Sequence, residues 1–112
     1  MKSLTEQSPW QTPEMVARLS ATPPNAELMQ WAEQELEAHP GGQLLDIGCG
    51  AGCNALPLAA MGWYVLGLDY SAPMLGAAGH RADEGALNPK LTLRHALMDA
   101  LPVEDAQFNF IV

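Results

Sequence analysis

Positive charge is scarce in this chain. Five of its 112 residues are Lys or Arg against thirteen Asp and Glu, and the formal net charge is −8. A surface of that sign repels phosphate backbones and anionic lipid, which argues against general nucleic-acid or membrane-surface binding. Long apolar runs are missing too, so no segment reads as a membrane span. The stretch from Met1 to Trp10 is polar and has no apolar centre, unlike a secretory signal. Cysteine is limited to Cys49 and Cys53. Two thiols fall short of the roughly four ligands that zinc takes. A disulfide between them would pinch the short loop they share, so both read as reduced thiols in a cytoplasmic protein. Repeats and low-complexity tracts are absent. A chain of 112 residues is one domain at most, with a modest core.

One stretch organises what is present: Gln43-Leu44-Leu45-Asp46-Ile47-Gly48-Cys49-Gly50-Ala51-Gly52-Cys53-Asn54. It opens as an apolar run of strand type, continuous as expected of a strand covered on both faces. Three glycines on alternate positions follow, and then a helical segment. Glycines allow positive φ and close approach of a ligand to the main chain. The start of the helix leaves N–H groups unpaired. Asp46 places a carboxylate at the floor of the cradle so formed. A dinucleotide fingerprint, Gly-x-Gly-x-x-Gly, would need its third glycine where Cys53 stands.

The remaining elements follow from caps and breakers. Thr12-Pro13-Glu14 starts a helix expected over Pro13 to about Ser20, which Thr22-Pro23-Pro24-Asn25 breaks. A second helix is expected from about Asn25 to Ala38, closed by His39-Pro40-Gly41-Gly42. Strands are expected at Gln43 to Ile47, Trp63 to Leu68, Leu91 to His95 and Phe108 to Val112. Helices are expected from about Asn54, as cap, to Met61, and from Ser71-Ala72-Pro73 to about Asp83. The second of these carries Gly76 and Gly79 and is weak by propensity. Alternation of this kind predicts an α/β fold with a parallel sheet and right-handed crossovers. Residues 1–42 are expected to form an N-terminal helical segment, and residues 43–112 a Rossmann-like domain, which the resemblance described next implies is partial.

Acids stand at or just past three strand ends: Asp46, Asp69 and Asp99. Ligands bind beyond the carboxyl ends of such strands. The Asp-x-Gly-x-Gly-x-Gly pattern of Asp46 to Gly52 resembles motif I of the class I S-adenosylmethionine-dependent methyltransferases, in particular the small-molecule branch with Leu45-Asp46-Ile47-Gly48-Cys49-Gly50. The likeness extends from Leu44 to Val112. It implies S-adenosylmethionine as cofactor. Gly48, Gly50 and Gly52 would form the loop. Asp46 and the Gly48 carbonyl would hold the methionine ammonium. Asp69 would accept both ribose hydroxyls, Tyr70 would pack on adenine, and Asp99 with the Ala100 N–H would reach the adenine edge. The three-cysteine cluster motif of radical enzymes using the same cofactor is not met. Asn109 stands where the family often has an acid, which puts loop anchoring in question.

The resemblance also implies a seven-stranded sheet, of which four strands are legible here. Acceptor-binding and catalytic residues are expected beyond Val112. The 112 residues alone are therefore expected to be inactive and to self-associate along Phe108 to Val112. A small-molecule methyl acceptor is expected, with no nucleic-acid or membrane partner. The alternatives are a nicotinamide dinucleotide-binding oxidoreductase domain and a non-catalytic binding or assembly module. Trp10, Trp31 and Arg18 read first as packing and surface residues. His39 reads as solvent-facing, His80 as an ordinary residue of the weak helix near Arg81, His95 as a strand-end side chain, and Met61, Met74 and Met98 as core filler.

Overall fold

In the computed structural model the described residues are 11–97 and 108–112. Helix α1, Pro13–Ser20, begins where the Thr12 hydroxyl accepts from the Met15 N–H at 3.2 Å. Helix α2, Ala26–Ala38, begins where Asn25 Oδ1 accepts from the Leu28 N–H at 2.9 Å. Both are side-chain caps of the kind the sequence announces. There follow β1 (Gln43–Ile47), α3 (Ala55–Met61), β2 (Tyr64–Asp69), α4 (Ala72–Glu84), β3 (Leu91–His95) and β4 (Phe110–Ile111).

The four strands are parallel and stand in the order β3-β2-β1-β4. The chain works outward from β1 to β3, then returns to the other side of β1. That reversal opens a crevice at the carboxyl end of β1, the place where open parallel sheets bind ligands.

Two boundaries differ from the sequence reading. Trp63 precedes β2 instead of opening it. Its side chain is fully buried, its indole Nε1 donates to the Ala32 carbonyl of α2 at 3.1 Å, and its ring lies where a Cβ on Gly42 would fall. β4 is two residues long, although bonds to β1 run from Asn109 N–H through to Val112 N–H. Asn109 anchors this end twice: its N–H donates to the Gln43 carbonyl, and its Oδ1 accepts from the Gln43 N–H at 2.8 Å. An amide supplies that acceptor as well as an acid would.

One sheet face packs against α3 and α4 through Leu44, Val65, Leu91, Ala55, Leu58 and Ala78. Ala32, Trp31 and Leu36 bring α2 into the same core, so the helical segment and the sheet share it. Phe110 sits there edge-on to Trp31 and Trp63, with ring centroids at 4.8 Å and 5.8 Å. His39 is half-buried rather than solvent-facing, because its ring also packs edge-on against Phe110 at 5.2 Å. Met74 is buried and Met61 half-buried, both in the manner of fillers; Met98 lies outside the described residues. The opposite face gathers Leu45, Leu68 and Ala96 with Ile47, Leu66 and Phe108.

Trp63 joins α2, the strand entry and β4. Trp63→Ala is expected to cost about 3–5 kcal/mol, as large aromatic truncations in cores do. Urea denaturation measures it; a loss under about 1 kcal/mol would place the indole outside the core.

Candidate functional site

β1 and β2 run side by side and bring Asp46 and Asp69 to the same end of the sheet, where they are 7% and 6% exposed. Between β1 and α3 the chain turns through Gly48, Gly50 and Gly52, with φ of +73°, +56° and +85°. L side chains are strained there, so the alternate glycines are a backbone requirement. At Gly52 space adds to it, since a Cβ would lie 2.0 Å from Leu56 Cδ1 and 3.4 Å from the Ala78 methyl of α4.

Several of the loop's peptide groups are paired within the fold. The N–H groups of Gly48 and Cys49 both donate to the Leu68 carbonyl, at 2.7 Å and 2.9 Å. The Gly50 N–H donates to Asp69 Oδ2 at 2.8 Å. The Gly52 N–H donates to the Cys49 carbonyl at 3.0 Å. From behind, Arg81 Nη1 of α4 donates to the Ala51 carbonyl at 3.0 Å. No described residue donates to the Gly48 carbonyl, and none accepts from the Ala51 or Cys53 N–H. A Cβ on Gly50 would meet nothing within 4 Å, so the loop faces open space at that point.

Asp69 uses both carboxylate oxygens on backbone, since Oδ1 accepts from the Ser71 N–H at 2.8 Å. Ser71, fully buried, then caps α4 by accepting from the Met74 N–H. One carboxylate thus ties the glycine loop to the start of α4. Each of its oxygens keeps further acceptor capacity.

Asp46 has no such donors among the described residues. Burial, and then the charge of Asp69 beside it, push its pKa up from 3.8 to about 6. A carboxylate held this way is satisfied by a cation. Cys49 lies below the loop with Sγ against Gly67, where a Cβ would come within 2.9 Å. Burial first, then the charges of Asp46 and Asp69, push its thiol up to about 12. It stays protonated and is no nucleophile. Both cysteines are free.

Tyr70 follows directly, half-buried, and its carbonyl lies 2.7 Å from His95 Nε2. The Ala96 N–H donates to the Asp69 carbonyl at 2.9 Å. The end of β3 therefore supports the turn after β2. Asp99 and Ala100 lie outside the described residues. His80 is exposed and pairs with Glu84 at 2.9 Å.

Three contacts at the site escaped the sequence reading. Asn54 stands at the head of α3 but does not cap it; its Oδ1 accepts from the Asn25 N–H at 2.9 Å, joining the end of the glycine loop to the start of α2. The other two are Arg81 to Ala51 and His95 to Tyr70. All three span 25 to 30 residues and leave no local signal. A groove among Gln43, Tyr64, Lys90, Thr92 and Arg94 lies elsewhere, on the face away from α3 and α4, and it includes none of the loop glycines.

The family model described as "Methyltransferase domain" matches residues 44–112, β1 through β4. The chain belongs to that family. Its parallel sheet with the glycine loop after β1 is the cofactor-binding half of a class I S-adenosylmethionine-dependent methyltransferase fold. A ubiquinone biosynthesis O-methyltransferase of Roseobacter denitrificans is 34% identical over 76 residues, covering 68% of this chain and 30% of that protein. The 23S rRNA (uracil(1939)-C(5))-methyltransferase of Ralstonia nicotianae is 38% identical over 68 residues, covering 61% of this chain and 15% of that protein. Among solved structures, the magnesium protoporphyrin IX methyltransferase of Synechocystis, solved with S-adenosylhomocysteine bound, is 27% identical with a TM-score of 0.61, covering 76% of this chain and 39% of that one. This methyltransferase domain thus spans about a third or less of the length of the curated relatives named here.

The raised pKa of Asp46 makes a stability prediction. The folded state holds this proton more tightly than the unfolded chain, so it gains stability below about pH 4 and loses that gain as the pH rises through about 6. Two units correspond to on the order of 2–3 kcal/mol. Asp46→Asn removes this titration, so wild type is expected to lose stability relative to it by that order between pH 4 and pH 7. Urea denaturation at both pH values decides, and parallel pH profiles would show an unshifted Asp46.

Proposed function

We propose that the glycine loop and the two strand-end acids hold S-adenosylmethionine, and that the protein transfers its methyl group to a small-molecule acceptor. The observation that carries this is the unanswered pair at the cradle floor. Asp46 is a buried carboxylate with no described donor, and the Gly48 carbonyl lacks one too. An ammonium group supplies both the charge and the donors. Asp69 would offer its remaining lone pairs to the ribose diol while keeping Gly50 and Ser71. Gly50 and Gly52 would let the ligand approach the backbone, and Tyr70 would wall the adenine. Asp99 and the Ala100 N–H would read the adenine edge.

When bound, the cofactor supplies an electrophilic methyl group on a sulfonium. The protein's part is to hold it and present an acceptor in line, which is mainly a matter of positioning. Catalytic residues are assigned to none of the described positions. The small-molecule reading is supported by the net charge and by the names of the ubiquinone-biosynthesis and magnesium-protoporphyrin relatives. The rRNA relative offers a second reading, but a charge of −8 repels such a substrate. A cytoplasmic setting fits the two free thiols. In the same reading copies associate along β4, the outer strand among the described residues, where Ile111 is 65% exposed. No helix among the described residues is long and apolar enough to cross a membrane.

Calorimetric titration with S-adenosylhomocysteine and with NAD tests the assignment. The former is expected to bind. Because only ionised Asp46 is competent, affinity should be about tenfold weaker at pH 5 than at pH 7. Asp69→Ala should weaken binding by about 1.5–3 kcal/mol in a variant that stays folded. Tight NAD binding with no response to S-adenosylhomocysteine would overturn the reading.

A further inference from the structure

The loop's peptide planes are not fixed from one side alone. In front, Asp69 takes the Gly50 N–H. Behind, α4 runs against the loop, with the Ala78 methyl 3.4 Å from where a Cβ on Gly52 would be. One turn further on the same helix, Arg81 donates to the Ala51 carbonyl at 3.0 Å across thirty residues of sequence. The far end of that peptide plane is also held, because the Gly52 N–H donates to the Cys49 carbonyl. The plane between Ala51 and Gly52 therefore has both its polar groups engaged, one of them by a cation. Arg81 is half-buried, and it is one of five Lys and Arg in the chain. Its donor is charge-assisted and the stronger for it.

We infer that Arg81 is a positioning residue for the ligand cradle: it never touches the ligand, but it sets the orientation of the Ala51–Gly52 peptide and so the shape of the loop that receives the amino-acid end of the cofactor. A free peptide plane in a glycine-rich loop can turn over at little cost, because its glycine neighbour accepts both signs of φ. Turning it would break the bond from the Gly52 N–H to the Cys49 carbonyl and change the path of the backbone beside Gly50 and Gly48. The guanidinium holds the carbonyl on the side away from the cradle. The energetic effect appears as affinity, since an unpinned loop must be ordered when the ligand binds. The ribose end rests on Asp69 and the turn after β2, which His95 and Ala96 support independently.

The inference rests on the cofactor reading above, and the test separates the two. S-adenosylhomocysteine and adenosine are titrated calorimetrically into the whole chain as wild type, Arg81→Ala and Arg81→Lys. Adenosine lacks the amino-acid end. The expected result is that Arg81→Ala weakens S-adenosylhomocysteine about tenfold, the size of one lost charge-assisted bond, and leaves adenosine unchanged. Arg81→Lys, which keeps a cationic donor, should recover most of the loss. Equal weakening of both ligands would mean a general structural role and would overturn the inference, as would wild-type affinity for both. Failure of the wild-type chain to bind S-adenosylhomocysteine would instead overturn the cofactor reading and the inference with it. If Arg81→Ala fails to fold by circular dichroism, Arg81→Lys and Arg81→Gln carry the comparison: graded loss for S-adenosylhomocysteine alone supports the role, and no difference between the ligands refutes it.

Discussion

The site depends on one carboxylate that does two backbone jobs. Asp69 receives the Gly50 N–H on one oxygen and the Ser71 N–H on the other, each at 2.8 Å. The first bond draws the glycine loop against the end of β2, and the second starts α4. Without it, two loops at positive or extended φ would have to be held by the strands alone. Bonds to a charged acceptor are about twice as strong as neutral ones, and here burial shields them from water. The positive φ values of Gly48, Gly50 and Gly52 are compatible with this closure, and bulkier residues would not be.

The same clamp carries an electrostatic cost. Asp46 sits on the neighbouring strand, buried and close enough to Asp69 that their charges repel. Asp69 offsets its own burial with two N–H donors, whereas Asp46 has none among the described residues. The pair is thus asymmetric, one acid satisfied by the fold and one without a donor among the described residues. Division of this kind is common at functional sites, where stability is given up locally for binding. Cys49 belongs to the same field, and its thiol is held protonated under both acids.

Much of this was legible in the residues. Thr12 announced its helix as a cap and caps it; Asn25 and Ser71 were legible as the points where helices start, and both prove to be side-chain caps. The apolar run before the glycines gave β1, and the alternation of elements gave the parallel sheet. What sequence patterns could not show were contacts between residues far apart in the chain. Asn54 looks like the cap of α3, yet its side chain serves α2. Arg81 reads as an ordinary basic residue near a helix end, and its link to Ala51 exists only once α4 lies across the loop. His39 reads as exposed until Phe110 arrives beside it from β4. Asn109 was visible as a departure from the family pattern; its bond to Gln43 shows that the position serves strand entry.

The central claim is that Asp69 fixes the glycine loop before any ligand arrives. Amide hydrogen exchange at Gly50 in the ligand-free chain addresses it most directly, since loop amides otherwise exchange quickly. The account predicts a protected Gly50 amide in wild type. In Asp69→Ala that protection should vanish while the amides of Val65 and Leu66 in β2 stay protected. Rapid exchange of the Gly50 amide in the folded wild-type chain would contradict it.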